Sequence, residues 1–195
     1  MPKRDTRLRI IEAMVELHEE IGPAATTVTA IAERAGVQRL TVYRHFPDDR
    51  AMLGACSAHW MEAHPVPNST DWTGIADPRI RLETALRGIY DFFRTGAPML
   101  DSVLRDEGQM EAVAEVMVPV WDYFREVAGG LSAGWDVNSH DQRRVRAAVG
   151  HALDFYTWRS LANQGLSNPE AVELMTGLVA EVATRPGHEF PEGLR

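Results

Sequence analysis

The chain has 195 residues, of which 45% are hydrophobic and 25% are charged, and its formal net charge is −8. This length allows a substantial core, in a chain that lies between one large domain and two small ones. The single cysteine, Cys56, excludes an intrachain disulfide, and no apolar run approaches the roughly 20 residues that cross a bilayer, so we expect a cytoplasmic protein without a membrane span.

The first predicted helix runs from Thr6 to Ile21, because apolar residues recur there at helical spacing and Gly22 with Pro23 ends it. Its apolar stripe consists of Ile10, Met14, Leu17 and Ile21. The region around this helix is neutral, since residues 1–54 carry eight Lys or Arg and eight Asp or Glu. The whole negative excess therefore lies in the rest of the chain, where it would discourage contact with nucleic acid.

The segment from Thr26 to Phe46 has the pattern of two short helices joined by a glycine turn. Thr27 is a suitable N-cap, and Gly36 supplies the left-handed residue that reverses the chain. The residues predicted to face inward are Val28, Ile31, Ala32, Ala35, Val37, Val42 and Phe46. The outer side of the second helix holds Gln38, Arg39, Leu40, Thr41, Tyr43, Arg44 and His45. This row is rich in donors and contains no acid, which suits phosphates and base edges.

These motifs, TTVTAIAERAGV followed by TVYRHF, resemble the N-terminal domain of the tetracycline-repressor (TetR) family of bacterial transcriptional regulators. The resemblance covers about the first quarter of the chain. The family usually has an acid at the position of Ala30, an aromatic at that of His18, a small residue at that of Leu40 and a lysine at that of Asp49. The last change removes a phosphate contact, for which Arg50 is a candidate substitute.

The resemblance implies that Arg39 and Leu40 approach base edges, whereas Thr41, Tyr43 and His45 grip the phosphate backbone. Arginine can offer two parallel donors to guanine, and leucine can pack on a thymine methyl group. Tyrosine and threonine hydroxyls are neutral donors that suit phosphate oxygens.

Further DNA contacts are predicted around the two helix starts. Thr27 and Thr29 can place amides and hydroxyls against a phosphate, and Gln38 either caps the second helix or reads adenine. Arg44 adds charge if it points toward DNA and is otherwise a solvated side chain. The N-terminus contains four basic residues, Lys3, Arg4, Arg7 and Arg9. They form either an arm that enters the minor groove or a frayed, solvated terminus.

The remaining elements are also predicted to be helical, and no strand pattern competes. A fourth helix begins at Asp48 and stops before Pro65, and the segment from His64 to Pro78 is the clearest linker. Five helical patterns follow, at about Pro78–Thr95, Pro98–Glu107, Met110–Ala128, Ser139–Gln164 and Asn168–Thr184. The last two carry broad apolar faces, which either pair with a second copy in a four-helix bundle or pack within one chain.

An effector pocket is expected in this C-terminal part, since ligand sites are mostly apolar with a few orienting polar groups. The candidates are Trp60, Phe92, Arg105, Met110, Met117, Trp121, Phe124, His151 and Phe155. The same residues also suit a plain core. His59 and His64 are five residues apart, which misses the spacing of a helical metal pair, so no metal or cofactor is expected.

The sequence therefore predicts an all-α protein, with a three-helix helix-turn-helix DNA-binding domain at 1–48 and a larger ligand-binding and dimerisation domain at 49–195. The predicted function is a homodimeric repressor that binds a palindromic double-stranded DNA operator and responds to a small-molecule effector. The alternative is an all-α enzyme or small-molecule carrier whose N-terminal helices serve only packing. An activator would share the DNA-binding head and differ in the sign of its effect.

Overall fold

The computed structural model describes residues 5–185, which form helices and no strand, and this confirms the all-α prediction. The helices are α1 Thr6–Ile21, α2 Val28–Ala35, α3 Arg39–His45, α4 Asp49–Ala63, α5 Thr70–Thr73, α6 Pro78–Asp106, α7 Glu111–Leu131, α8 Ser139–Ala152, α9 Phe155–Asn163 and α10 Asn168–Thr184. A short 3-10 turn, Glu107–Gln109, lies between α6 and α7. None of the helices in the described part is long and apolar enough to cross a bilayer.

The chain divides into two compact units. The head unit comprises Met1–Val66 and Arg94–Asp122, and the body unit comprises Pro67–Phe93 and Tyr123–Arg195. Helices α6 and α7 each contribute residues to both units. The division into domains 1–48 and 49–195 is a different partition and stays a prediction.

The first three helices of the head begin and end where local signals place them. The Thr27 hydroxyl accepts a hydrogen bond from the Ala30 amide at 3.1 Å and so caps α2. Gly36 has φ of 63°, in the left-handed region, and the Val37 amide donates to the Ala32 carbonyl at 2.9 Å. Gln38 is the N-cap residue of α3, as considered, but its side chain forms no capping hydrogen bond.

The core of the head lies beneath α3. Ile10 and Met14 of α1 are fully buried, as is Val42, and Phe46 is 1% exposed. Helix α3 packs against α2, and Arg7 of α1 lies over the ring of Phe46. Val37 is half-buried in the turn between α2 and α3.

Helix α6 is one continuous helix, whereas two helices separated near Pro98 were predicted. Pro98 is exposed, while its neighbours Ala97, Met99 and Leu100 are buried. Proline in a helix interior costs about 3 kcal/mol, and burial of a continuous apolar face outweighs that local penalty here. The prediction of a break was therefore wrong.

Helices α8 and α9 are separate, whereas one helix from Ser139 to Gln164 was predicted. The Asp154 carboxylate accepts a hydrogen bond from the Thr157 amide at 2.9 Å and starts α9 as an N-cap. The segment predicted as a linker also contains the short helix α5, whose Trp72 is 4% exposed. Burial of this indole orders a stretch that lacks helical periodicity.

The core of the body unit is aromatic. The ring of Phe93 lies 5.4 Å from that of Phe155 in an edge-to-face arrangement and 5.9 Å from the rings of Phe124 and Trp158. The Tyr90 hydroxyl donates to the Ala152 carbonyl at 2.9 Å, which satisfies the one polar atom of a buried ring.

Candidate nucleic-acid interface

The outer side of α3 is an exposed surface without an acidic residue. Leu40 is 70% exposed and Tyr43 is 43% exposed. Gln38, Arg39 and Arg44 are also exposed. Within α3 and its N-cap, the structure thus brings together the predicted residues Gln38, Arg39, Leu40, Thr41, Tyr43, Arg44 and His45, of which Thr41 and His45 are half-buried.

The donors on this surface are uncommitted within the described part of the chain. Arg39, Tyr43 and Arg44 form no ion pair or side-chain hydrogen bond there. By contrast, Arg34 of α2 binds Glu20 at 2.8 Å and Glu16 at 3.1 Å. The cations of α3 are therefore available to an anionic partner.

The other predicted phosphate contacts lie at the start of α2. Thr29 is exposed in the first turn of this helix, next to the capping residue Thr27. A helix N-terminus presents unpaired amides, which are suited to a phosphate oxygen. The Thr27 hydroxyl is already an acceptor for the Ala30 amide, so its remaining contribution is as a donor.

Arg50, considered as a substitute for the lysine of the family, has its guanidinium engaged by Glu115 of α7. Its Nε donates to one carboxylate oxygen at 2.6 Å, and its Nη2 donates to the other. This two-point ion pair raises the pKa of Arg50, chiefly through the hydrogen bonds to Glu115. As the structure stands, Arg50 is committed to the protein and not to a phosphate.

The predicted basic arm is only partly described. Lys3 and Arg4 lie outside the described residues, whereas Arg7 and Arg9 lie in α1. The Arg7 guanidinium carbon is 5.0 Å from the centre of the Phe46 ring, a cation–π contact. Arg9 donates to the carbonyl of Gly36 at 3.1 Å and to that of Ala35. These two arginines therefore stabilise the head and do not belong to a free arm.

The loop that leads into α2 is held by the end of α6. The Asp106 carboxylate, which is 2% exposed as a residue, accepts a hydrogen bond from the Ala24 amide at 3.0 Å. Arg105 donates to the Ile21 carbonyl at 3.2 Å. Gly22 has φ of 88°, and a Cβ there would lie 2.0 Å from the Arg105 Nη2 atom. Glycine at this position thus allows α6 to position the entry to α2.

A buried polar pair lies beneath the same loop. Cys56 Sγ is 3.3 Å from His18 Nδ1, and both residues are buried. Burial lowers the pKa of His18 to about 4, although the negative charge of Asp106 opposes this shift. Burial also raises the pKa of Cys56 to about 12, which keeps the thiol protonated and unreactive.

The nine residues predicted for the effector pocket are divided between the two units. Trp60, Arg105, Met110, Met117 and Trp121 lie in the head unit, and Phe92, Phe124, His151 and Phe155 lie in the body unit. Their role in effector binding stays a prediction.

Several of the nine have structural contacts that account for them. The Arg105 guanidinium binds Asp106, the Trp121 indole donates to Glu107 at 2.5 Å, and Met117 packs with Leu53 and Val113.

Others belong to close packing or to surface contacts. A Cβ at Gly96 would lie 2.8 Å from the Trp60 ring, so the indole fills the space above that glycine. Phe155 belongs to the aromatic core of the body unit, and the Nδ1 atom of the exposed His151 lies 3.1 Å from the Thr157 hydroxyl. Residues 5–185 contain no group of three or more His, Cys, Asp or Glu that could hold a metal ion.

A cleft of about 380 Å³ lies within the body unit, and none of the nine residues lines it. It is lined by Ser69, Trp72, Thr73, Arg81, Tyr123, Glu126, Val127, Gly130, Ala133 and Gly134. All of these residues except Arg81 of α6 come from the segment predicted as a linker, from the second half of α7 or from the turn after it. The available sequence signal was the pair Gly129-Gly130, which is unusual inside a helix.

Comparison with known proteins agrees with the N-terminal resemblance. The family described as "Bacterial regulatory proteins, tetR family" matches residues 10–56. The tetracycline repressor protein class A from transposon 1721 of Escherichia coli is 35% identical over 65 residues, which are 32% of this chain and 30% of that protein. This match therefore spans less than a third of the curated relative.

Solved structures resemble the chain over nearly its whole length. A TetR-like transcriptional regulator from Rhodococcus sp. RHA1 has a TM-score of 0.68 at 20% identity, over 95% of this chain and 100% of that one. AibR, solved in complex with isovaleryl coenzyme A and operator DNA, has a TM-score of 0.65 at 17% identity, over 89% and 97% of the two chains. At these identities the likeness shows the fold.

Helix α2 is capped by Thr27 and ends at Gly36, and the exposed helix α3 follows it. Within an all-α fold, this arrangement is a helix-turn-helix motif. Residues 10–56 match the tetR family of bacterial regulatory proteins, and the chain as a whole shares its fold with solved TetR-like regulators.

Stability of the head should depend on pH through His18. The unfolded histidine takes up a proton near pH 6.5 but the folded one only near pH 4, so the unfolded state binds more protons between these values. Stability is therefore present above this window and is lost as the pH falls through it. We expect the free energy of unfolding to drop by about 2 kcal/mol between pH 7 and pH 5 from this residue alone.

Urea denaturation at the two pH values measures this loss. His18→Phe, which introduces the aromatic usual in the family, should remove that part of the pH dependence while the head stays folded. An equal drop in the variant and in the unchanged protein would show that His18 is not its source.

Proposed function

We propose that the protein is a ligand-responsive transcriptional repressor that acts in the cytoplasm. It binds a near-palindromic DNA operator as a homodimer and is released by a small-molecule effector. The observation that carries the proposal is the outer side of α3, which exposes Arg39, Leu40, Tyr43 and Arg44 and contains no acidic residue. The side chains of these four residues form no ion pair or hydrogen bond with residues 5–185.

Each side chain on this surface has a chemical role in the proposed complex. Arg39 donates to guanine O6 and N7, and the exposed Leu40 packs on a thymine methyl group. Tyr43 and Thr41 donate their hydroxyl protons to phosphate oxygens, and Thr29 at the start of α2 does the same. His45 and Arg44 extend the same row along the backbone of the duplex.

A second copy of the chain is proposed because one short recognition helix reads few base pairs. The body unit offers a surface for it on α10, where Leu174 is 41% exposed and Leu178, one turn later, is 50% exposed. On α8, the exposed Ala147 and Gly150 are small enough to let another helix approach closely. An isologous pairing of α8 and α10 would bury these faces and place two heads on one operator.

We infer that the protein carries out no catalysis, since the proposed action needs only binding. The alternative, an enzyme or carrier whose head serves packing, predicts that changes on α3 leave its activity intact. The two hypotheses therefore differ in whether substitutions on the exposed side of α3 change the activity of the protein.

Selection of bound sites from random duplex DNA tests the proposal. We expect two inverted half-sites whose centres lie about 34 Å, one turn of the double helix, or a multiple of that apart. Arg39→Gln should relax the preference at one position of each half-site by about 1–3 kcal/mol. The double variant Thr41→Val, Tyr43→Phe should weaken binding to all sequences alike, because only phosphate contacts are lost.

Arg79→Gln is the matched control, since it removes the same charge from an exposed arginine of the body unit. This control should bind the selected sites as the unchanged protein does. Recovery of no preferred sequence, or equal binding by the α3 variants, would contradict the proposal. A single half-site without an inverted partner would contradict the dimer.

Glu115 should limit the affinity of the head for DNA by holding Arg50 at the start of α4. Glu115→Gln frees this guanidinium for a phosphate, and each new phosphate contact steepens the dependence of log Kd on log salt by about 0.9. We therefore expect a steeper salt dependence and tighter binding at low salt, measured by fluorescence anisotropy.

Glu111→Gln is the control, because Glu111 is one turn earlier on α7 and acts on Arg50 only through its charge. It should change the salt slope less than Glu115→Gln does. The gain should also disappear in the double variant Arg50→Gln, Glu115→Gln. A gain that persists without Arg50 would show that the ion pair does not restrain DNA binding.

A further inference from the structure

We propose that the cleft of the body unit is the effector site and that it takes a small amphipathic monocarboxylate. This inference rests on the ligand-responsive part of the proposed function and names the site and ligand class that it leaves open. The volume of about 380 Å³ falls within the range of roughly 300–1,000 Å³ that is typical of small-molecule sites.

One wall of the cleft is aromatic and apolar. Trp72 of α5 is 4% exposed, and Val127 of α7 is 5% exposed. The Tyr123 hydroxyl donates to the Pro67 carbonyl at 2.6 Å, so its polar atom is satisfied by the protein and its ring remains as a contact surface. Such a wall binds the apolar part of a ligand by removing it from water.

The cleft exists because small residues line its other side. Gly130, Ala133 and Gly134 leave space that larger side chains would fill. A Cβ at Gly130 would meet no atom within 4 Å. Glycine inside a helix costs about 1 kcal/mol relative to alanine, and at Gly130 the missing side chain leaves the cleft open.

Arg81 is the polar anchor of the cleft. Its Nη1 donates to the Ile75 carbonyl at 2.8 Å, and its Nη2 donates to the Ala133 carbonyl. These neutral acceptors hold the guanidinium in place without neutralising it, and no carboxylate among residues 5–185 forms an ion pair with it. Its Nε atom is buried and has no acceptor within the part of the chain that the structure describes.

A carboxylate in the cleft would correct both deficits of Arg81. It supplies the missing counter-charge and, after a small rotation of the side chain, an acceptor for the Nε–H group. Charge-assisted hydrogen bonds of this kind are roughly twice as strong as neutral ones, and a partly buried guanidinium without a counter-ion is costly. The ligand class is therefore an acid, with its apolar part on Trp72 and Tyr123.

Glu126 limits the charge of that acid. Its carboxylate also lines the cleft and forms no ion pair among the described residues. A second negative charge on the ligand would be repelled there, whereas a hydroxyl or amide donor would be accepted. A monocarboxylate is thus favoured over a dicarboxylate or a phosphate ester.

Calorimetry on the full-length protein tests the ligand class without DNA. The probes are phenylacetate and octanoate, each compared with its neutral amide, phenylacetamide or octanamide. We expect each acid to bind at least about tenfold more tightly than its amide, because only the acid supplies the counter-charge. Equal binding of acid and amide, or no binding of either acid up to roughly 1 mM, would overturn the proposal.

A pair of glycine variants tests the place of binding. Gly130→Leu fills the cleft from an open position, whereas Gly129→Leu adds the same side chain on the same helix at a residue that does not line the cleft. Both variants should keep the helical circular dichroism of the unchanged protein. Acid binding should be lost in Gly130→Leu and kept in Gly129→Leu, and binding that survives in Gly130→Leu would overturn the site.

The outcome for the ligand is separable from the outcome for DNA. Loss of acid binding with retained sequence-selective DNA binding would refute this inference and leave the proposed function in place. Acid binding by a protein that selects no DNA sequence would refute the repressor and leave the cleft as a ligand site. If both hold, either acid should lower operator binding, and Gly130→Leu should abolish this response.

Discussion

The burial of Val42 and Phe46 is the constraint on which the rest of the structure depends. Helix α3 has seven residues, and an isolated helix of that length does not persist in water. Its conformation is imposed from below, where both side chains are almost completely removed from solvent. Because the inner side anchors the helix, the outer side remains exposed to solvent. The outer side contains no acidic residue, so its electrostatic potential favours a negatively charged partner.

Polar contacts within the head unit connect its short helices to α6 and α7. Asp106 and Arg105, at the end of α6, bind the loop that leads into α2, and Glu115 of α7 binds Arg50 at the start of α4. A displacement of α6 or α7 within the head unit would therefore act on the entry to α2 and on α4. Such contacts are discrete, either formed or broken, which is what a two-state regulatory response requires.

The sequence was informative where structure is decided by neighbours along the chain. The bounds of α1 and α2 and the turn at Gly36 follow from capping residues and glycines, and α10 begins at the predicted residue. Prediction from the sequence failed where packing between residues distant in the chain determines the structure. At Pro98 a break was predicted, but α6 continues through this residue. Prediction also failed at Asp154, whose capping of α9 competes with a continuous apolar pattern.

The candidate sites divide in the same way. The seven residues of the α3 surface could be selected because a short helix with one anchored side leaves the other side exposed. The residues of the cleft could not be selected from the sequence. The cleft is formed by small residues such as Gly130 and by the segment around Trp72, which is distant from α7 along the chain. Trp60 and Phe155 were predicted as ligand contacts because they are bulky and apolar; both are buried, and their role in effector binding stays a prediction.

The most direct test of the central claim is to locate the DNA on the protein in solution. Titration of the ¹⁵N-labelled protein with a duplex recovered by selection should perturb the backbone amides of residues 27–29 and 38–45 before all others. Perturbation of amides in the body unit, with those of α3 unchanged, would contradict the account.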